Sequence, residues 1–228
     1  MPSPRTPCGE HSTSWDTSGS GPDTFSLLTR STKKKRALRW QVGFWLPLAR
    51  VLLEDETDLL LFPPLRAGWA ERGQTKQVAI SGHNAKCSLF GAVEPLTGQL
   101  YLLARERQQA VDFCAFLRHL RGEHSAWQVL VLILDENSSH TAHASLALAD
   151  ELGIVLLFLP KRSPHLNPMD HLWRSAKQKV CANRQYTGLD DEIDRVVNYL
   201  WSLSPREVLT KAGILSPSFW IHRLRPEL

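Results

Sequence analysis

The chain has 228 residues, 43% of them hydrophobic, with a net charge of +4 and a sequence pI of about 9.0. That content suffices for one well-cored domain, and the mild basic excess suits a polyanionic partner without demanding one. Cys8, Cys87, Cys114 and Cys181 form no CxxC pair, no apolar run reaches the ~18 residues of a membrane span, and the start MPSPRTPCGEHSTSW has no apolar signal core. A disulfide framework, a zinc site, a membrane span and a signal peptide are therefore not expected, and isolated thiols in a reducing, cytoplasmic compartment are.

Residues 1–32 are rich in Ser, Thr, Pro and Gly and lack apolar periodicity, which predicts disorder. Lys33–Arg36 is a short basic run, read as a solvated linker, with contact to a phosphate backbone as the other reading. The ordered domain is expected from about Gln41, leaving residues 1–40 as a disordered basic tail. Strand signals follow at Arg50–Glu54, Leu59–Phe62, Gln77–Ile80, Cys87–Val93 and, after the turn PLTG at 95–98, Gln99–Leu103. Residues 107–121 carry a helical apolar pattern. Gln128–Leu134 is almost wholly apolar, as in a central parallel strand. His143–Leu152 reads as a helix ended by Gly153, and Val155–Leu159 as a buried strand ended by Pro160. Asn167 suits a helix N-cap and Pro168 the first helical position, so Asp170 falls near the third position of the next helix. Regions 188–201 and 205–212 are two further helices. The order, an antiparallel meander and then strands alternating with helices, predicts an α/β fold whose mixed sheet is flanked by helices.

Three acids stand at element ends with apolar supports behind them: Asp55, Asp135 and Asp170. In a parallel α/β arrangement, strand C-terminal ends and the neighbouring helix starts meet at one edge, where sites form. Three carboxylates there would repel one another unless a cation joined them, and hard divalent ions such as Mg²⁺ take oxygen ligands. Two such ions about 4 Å apart serve phosphodiester chemistry. Each acid has a plainer role open to it as well. Asp135 can cap the loop that follows it, and Asp170 can complement a helix dipole. Asp55 can belong to a solvated cluster with Glu54, Glu56 and Asp58, although at strand period it faces away from Glu54 and Glu56.

The segments LILDENSSH (132–140), IVLLFLP (154–160) and SPHLNPMDHLW (163–173) resemble the catalytic core of the mariner superfamily of transposases, nearest to its bacterial insertion-sequence branch. Thirty-four residues lie between Asp135 and Asp170, a spacing that superfamily uses. EDETDLLLFP (54–63), RAGWAERGQ (66–74) and TGQLY (97–101) resemble its first part, so the likeness runs over residues 48–182. It implies an RNase H-like catalytic domain over residues 41–228, with the helices of 188–212 at its C-terminal end. It further implies DNA cleavage and strand transfer with Mg²⁺ or Mn²⁺, as two ions held by Asp55, Asp135 and Asp170. The chain departs from the bacterial pattern at Asp170, where Glu is usual, and at Glu136, where Asn is usual. His140 and His165 are expected near the same edge in hydrogen-bonding roles, since His is not a preferred ligand of hard Mg²⁺.

Relatives of this kind carry helix-turn-helix modules ahead of the catalytic domain, whereas residues 1–40 are polar and aperiodic. The expectation is an N-terminally truncated or frame-disrupted transposase, nucleoid-associated when bound to DNA. Its partners would be element-end and target DNA, with a second copy or a full-length transposase as a further partner. Lys161, Arg162, Arg174, Lys177 and Lys179 would grip phosphates while reading little sequence. The alternative is an inactive remnant that only binds DNA, weakly and without specificity.

Overall fold

A computed structural model describes residues 23–222 apart from 75, 76, 79, 81 and 128, with side chains from residue 33 onward. The elements in chain order are α1 (Asp23–Trp45), β1 (Arg50–Leu60), β2 (Lys86–Val93), β3 (Leu100–Arg105), α2 (Ala110–Glu123) and β4 (Leu130–Leu134). They continue with α3 (Ser138–Thr141), α4 (His143–Glu151), β5 (Ile154–Phe158), α5 (Met169–Ala176), α6 (Leu189–Trp201) and α7 (Pro205–Lys211). A 3-10 turn at Pro164–Leu166 precedes α5, and a π turn at Lys177–Cys181 extends it.

The five strands form one sheet in the order β3-β2-β1-β4-β5. β1, β2 and β3 pair antiparallel, while β4 joins β1 and β5 joins β4 in parallel. β1 is thus the strand at which a meander meets two βαβ-type crossovers. β4, LVLIL, is buried at every position, as a central parallel strand requires. Because side chains alternate across a strand, the sheet has two cores. Leu52, Leu130, Leu132 and Leu134 pack with Phe113, Phe116 and Leu117 of α2. Val51, Leu53, Val131 and Ile133 pack on the other face with Leu172 and Trp173 of α5 and with Val196 and Leu200 of α6.

Three expectations change. The two predicted strands at Arg50–Glu54 and Leu59–Phe62 are one continuous β1, because the acids between them remain paired with β2, Asp55 opposite Gly91 and Glu56 opposite Phe90. The strand predicted at Gln77–Ile80 is not formed by residues 77, 78 and 80, which have no regular structure; residue 79 lies outside the described residues. The tail expected through residue 40 is helical from Asp23, and α1 docks through Leu38 (3% exposed) and Val42 (0%), one turn apart. The disorder predicted for residues 1–22 falls outside the described residues. Beyond α7, the buried Ile214, Trp220 and Ile221 extend the core past the helices predicted to end it. No helix among the described residues is long and apolar enough to cross a membrane.

Candidate functional site

The β1–β4 ladder ends at Leu53 opposite Ile133. Two residues farther along the chain stand Asp55, still in β1, and Asp135, the first residue past β4, at the open end of the ladder. Period-two alternation puts Asp55 on the face of Leu53, the face that carries α5, while Asp135 follows the end of β4. Parallel neighbours lie about 4.8 Å apart, so strand register brings the two backbones close, and both side chains line one cleft.

Asp170 arrives from the loop after β5. Arg162 turns the chain with φ 57°, and the 3-10 turn delivers Asn167 to the end of β1. Asn167 is 5% exposed, donates from Nδ2 to the Glu54 carbonyl at 2.7 Å and accepts from the Met169 N–H at 3.2 Å. The predicted N-cap falls one residue early, since Pro168 holds that position and α5 starts at Met169, but the Asn167 amide accepts from the first helical N–H and ties the start of α5 to the residue before Asp55. Trp220 secures the same loop, its Nε1 donating to the Leu166 carbonyl at 2.9 Å. Gly91, opposite Asp55 on β2, lets α5 lie close, since a Cβ there would stand 2.5 Å from Trp173 and 2.7 Å from Met169.

The result is a cleft of about 430 Å³ in which Asp55, Asp135 and Asp170 meet Glu136, Lys161, Arg162 and Asn167. Burial, and then the like charges of Glu56, Asp135 and Asp170, push the Asp55 carboxyl up to about 7. Its neighbours thus leave negative charge uncompensated there, which is the condition under which a carboxylate cluster takes up a cation. Asp135 is held below the usual carboxylate range, chiefly by its hydrogen bond with His140. Asp170 is half exposed and pairs with Arg174 at 2.7 Å, while Glu136 pairs with Lys161 at 3.2 Å. Lys177, in the π turn, is pushed down by burial and lies in the opposing field of Asp58, Asp170 and Asp55.

Glu54 and Glu56 occupy the opposite face of β1, as strand period predicts, and are buried there around His140. The ring places Nε2 2.7 Å from Glu56 Oε1 and 3.7 Å from Glu54 Oε2, and Nδ1 3.0 Å from Asp135 Oδ1 and 3.1 Å from the Asp135 carbonyl. Burial alone would lower this histidine, but hydrogen bonds to Asp135 and Glu56 outweigh it and hold the ring up at about 11. Donor atoms of Glu54, Glu56 and His140 all lie within 4.8 Å of one another, a metal-capable spacing in which His140 Nε2 is already hydrogen-bonded to Glu56 Oε1. Glu54 is raised by this burial and by repulsion from Glu56. His140 thus takes the hydrogen-bonding role expected of it. His165 does not reach the cleft: it is exposed and bonds Lys35 of α1 at 2.8 Å. The tethering by Asn167 and the burial of Glu54 were not read from the sequence, because both depend on contacts between segments more than eighty residues apart.

The family model described as DDE superfamily endonuclease matches residues 50–191. The chain is 26% identical over 156 residues to the Insertion element IS630 uncharacterized 39 kDa protein of Shigella sonnei, covering 68% of this chain and 46% of that one. It is 39% identical over 61 residues to Uncharacterized protein y4pE/y4sA of Sinorhizobium fredii, covering 27% of this chain and 43% of that one. The chain therefore spans less than half the length of these curated relatives. Among solved structures, the Mos1 transposase paired-end complex with left transposon end superposes with a TM-score of 0.65 at 17% identity, over 93% of this chain and 65% of that one. The catalytic domain of Mos1 mariner transposase superposes with a TM-score of 0.60 at 14% identity, over 94% of this chain and 100% of that one. These likenesses bear out the RNase H-like architecture. With most of the described chain inside the family match, and the cleft built from its segments, this chain belongs to the DDE superfamily endonucleases.

Proposed function

We propose that this chain is the catalytic part of an insertion-sequence transposase, and that Asp55, Asp135 and Asp170 are its metal-binding acids. The observation that carries the reading is the convergence of these three acids in one cleft, two by strand register and the third by the Asn167 tether. The donor set is all oxygen and carries the charge that repels Asp55 towards neutrality, so the residues fit a hard divalent ion such as Mg²⁺ or Mn²⁺. Two ions is the arrangement proposed, and such ions, when bound, help to form the attacking oxygen nucleophile and stabilise the leaving oxygen. The substrate proposed is DNA: element ends first, target DNA second.

The chain's own residues would act by holding and orienting. Lys161 and Arg162 stand on the cleft rim beside the acids and suit the phosphates on either side of the scissile bond. In the first step water adds to the phosphorus and the 3′ oxygen leaves, freeing a 3′-hydroxyl. In the second that hydroxyl attacks a target phosphodiester, and one P–O bond is exchanged for another. The packed sheet behind the acids fixes the backbone from which Asp55 and Asp135 project, since β4 and the Val51–Leu53 segment of β1 are buried.

The test is Mg²⁺-dependent nicking of plasmid carrying the element ends, by the wild type and by Asp135→Asn. The wild type should nick and the variant should not, with equal thermal stability confirming the fold. Equal cleavage by both would defeat the assignment. DNA binding by both with no metal-dependent nicking by either would favour the inactive remnant.

A further inference from the structure

We propose that His140, anchored by Glu56, is a positioning residue that fixes the Asp135 carboxylate for metal binding; this rests on the reading of Asp135 as a metal ligand. The starting point is a gap in the sheet. Backbone pairing between β1 and β4 stops at Leu53 and Ile133, two residues short of the acids. Past that point the Asp135 side chain is 60% exposed, and nothing in the ladder fixes its direction. Freezing such a side chain at the moment of binding carries an entropic cost.

His140 spans the gap. Its Nε2 donates to Glu56 Oε1 at 2.7 Å, on the residue beside Asp55 in β1. Its Nδ1 faces Asp135 Oδ1 at 3.0 Å and the Asp135 carbonyl at 3.1 Å, at the end of β4. The ring is therefore a side-chain rung that joins the two strands after their backbone rungs have ended. It cannot swing, because it is 0% exposed and lies against Phe113 with ring centroids 4.4 Å apart. The Asn137 N–H also donates to Asp135 Oδ1, at 3.0 Å. The single Nδ1–H is shared between Oδ1 and the Asp135 carbonyl, the Asn137 N–H also holds Oδ1, and Oδ2 is left without a protein donor among the described residues. That orients one carboxylate oxygen before any ion arrives, which is what an outer-shell partner of a metal ligand does.

Two substitutions separate the possibilities, because the amide nitrogen of Asn falls near Nδ1 of His and that of Gln falls near Nε2. Mn²⁺ affinity of the DNA-free full chain is measured by electron paramagnetic resonance for each. His140→Asn keeps a donor to Asp135 and should stay within about threefold of wild type. His140→Gln keeps only the Glu56 side and should weaken Mn²⁺ binding by roughly ten- to a hundredfold. If His140 acted only as a buried cation, both variants would lose a positive charge and bind Mn²⁺ more tightly. If it acted only in packing, both would weaken alike, and Phe113→Leu with them. Either result overturns the proposal.

Asp135→Asn is the control for the underlying reading. If it binds Mn²⁺ as wild type does, Asp135 is not a ligand and the functional reading fails. If it loses Mn²⁺ while His140→Gln keeps it, the functional reading stands and this inference alone fails. Should His140→Gln not fold, ¹⁵N NMR of the wild type decides. A slowly exchanging His140 Nδ1–H that shifts on adding Mg²⁺ is expected, and a ring with no protected Nδ1–H contradicts the proposal.

Discussion

Asp55 and Asn167 show how far one side chain can govern this cleft. Asp55 is an acid whose folded-state pKa is raised, to about 7, by burial and then by Glu56, Asp135 and Asp170. Unfolded, it ionises near the ordinary value, so in the metal-free protein it removes stability progressively as pH rises from about 4 to 7. His140, raised to about 11, contributes stability below about 6.5 that is lost as pH climbs towards 11. Both act in the same direction. The urea midpoint of the metal-free chain should fall between pH 5 and pH 9, and Asp55→Asn should flatten the lower part of that decline. A midpoint that rises over this range would contradict the account. Asn167→Ala removes both the tether to the Glu54 carbonyl and the cap on Met169. Leaving those buried groups unpaired should cost about 1–3 kcal/mol in chemical denaturation. Nicking should fall further than that loss explains, because Asp170 is no longer fixed to β1.

At the scale of elements, α5 and β1 make the site, and Gly91 sets how closely they meet. Ala at position 91 would drive a methyl into Trp173 and Met169. Gly91→Ala should destabilise by about 1–3 kcal/mol, the usual cost of overpacking, and Gly91→Ala combined with Trp173→Leu should recover part of it. Strictly additive losses would show that the contact is not the cause. The same two elements mark what could be read from the sequence. The all-apolar run ending in Asp135 and the Asn167–Pro168 helix start were legible, because each is a local pattern of side chains. The register that sets Leu53 opposite Ile133, and so brings Asp55 and Asp135 to one edge, was not, since it joins residues eighty positions apart in the chain. β1 was split in two because its central acids look like a break, yet Glu54 is 0% exposed and the strand runs on. α1 is hidden in the sequence because a basic run masks a docking stripe of two residues, Leu38 and Val42.

At the scale of the molecule, the exposed cations Lys33, Lys34, Arg36, Lys161, Arg162, Arg174 and Lys179 suit a phosphate backbone and carry little sequence information. Binding of this chain to duplex DNA should therefore weaken steeply with added salt. Terminal-repeat DNA should compete less than about a hundredfold better than scrambled DNA of equal length, or ~2.7 kcal/mol. A larger preference would reveal a sequence reader within this chain. The central claim is that the three acids converging on one cleft hold the divalent metal for DNA cleavage. Its most direct test is single-turnover nicking of element-end DNA at saturating Mg²⁺ by Asp55→Asn, Asp135→Asn and Asp170→Asn, beside an active wild type. Each variant, though folded, should cleave no faster than the metal-free control. Cleavage at the wild-type rate by any one of the three would contradict it.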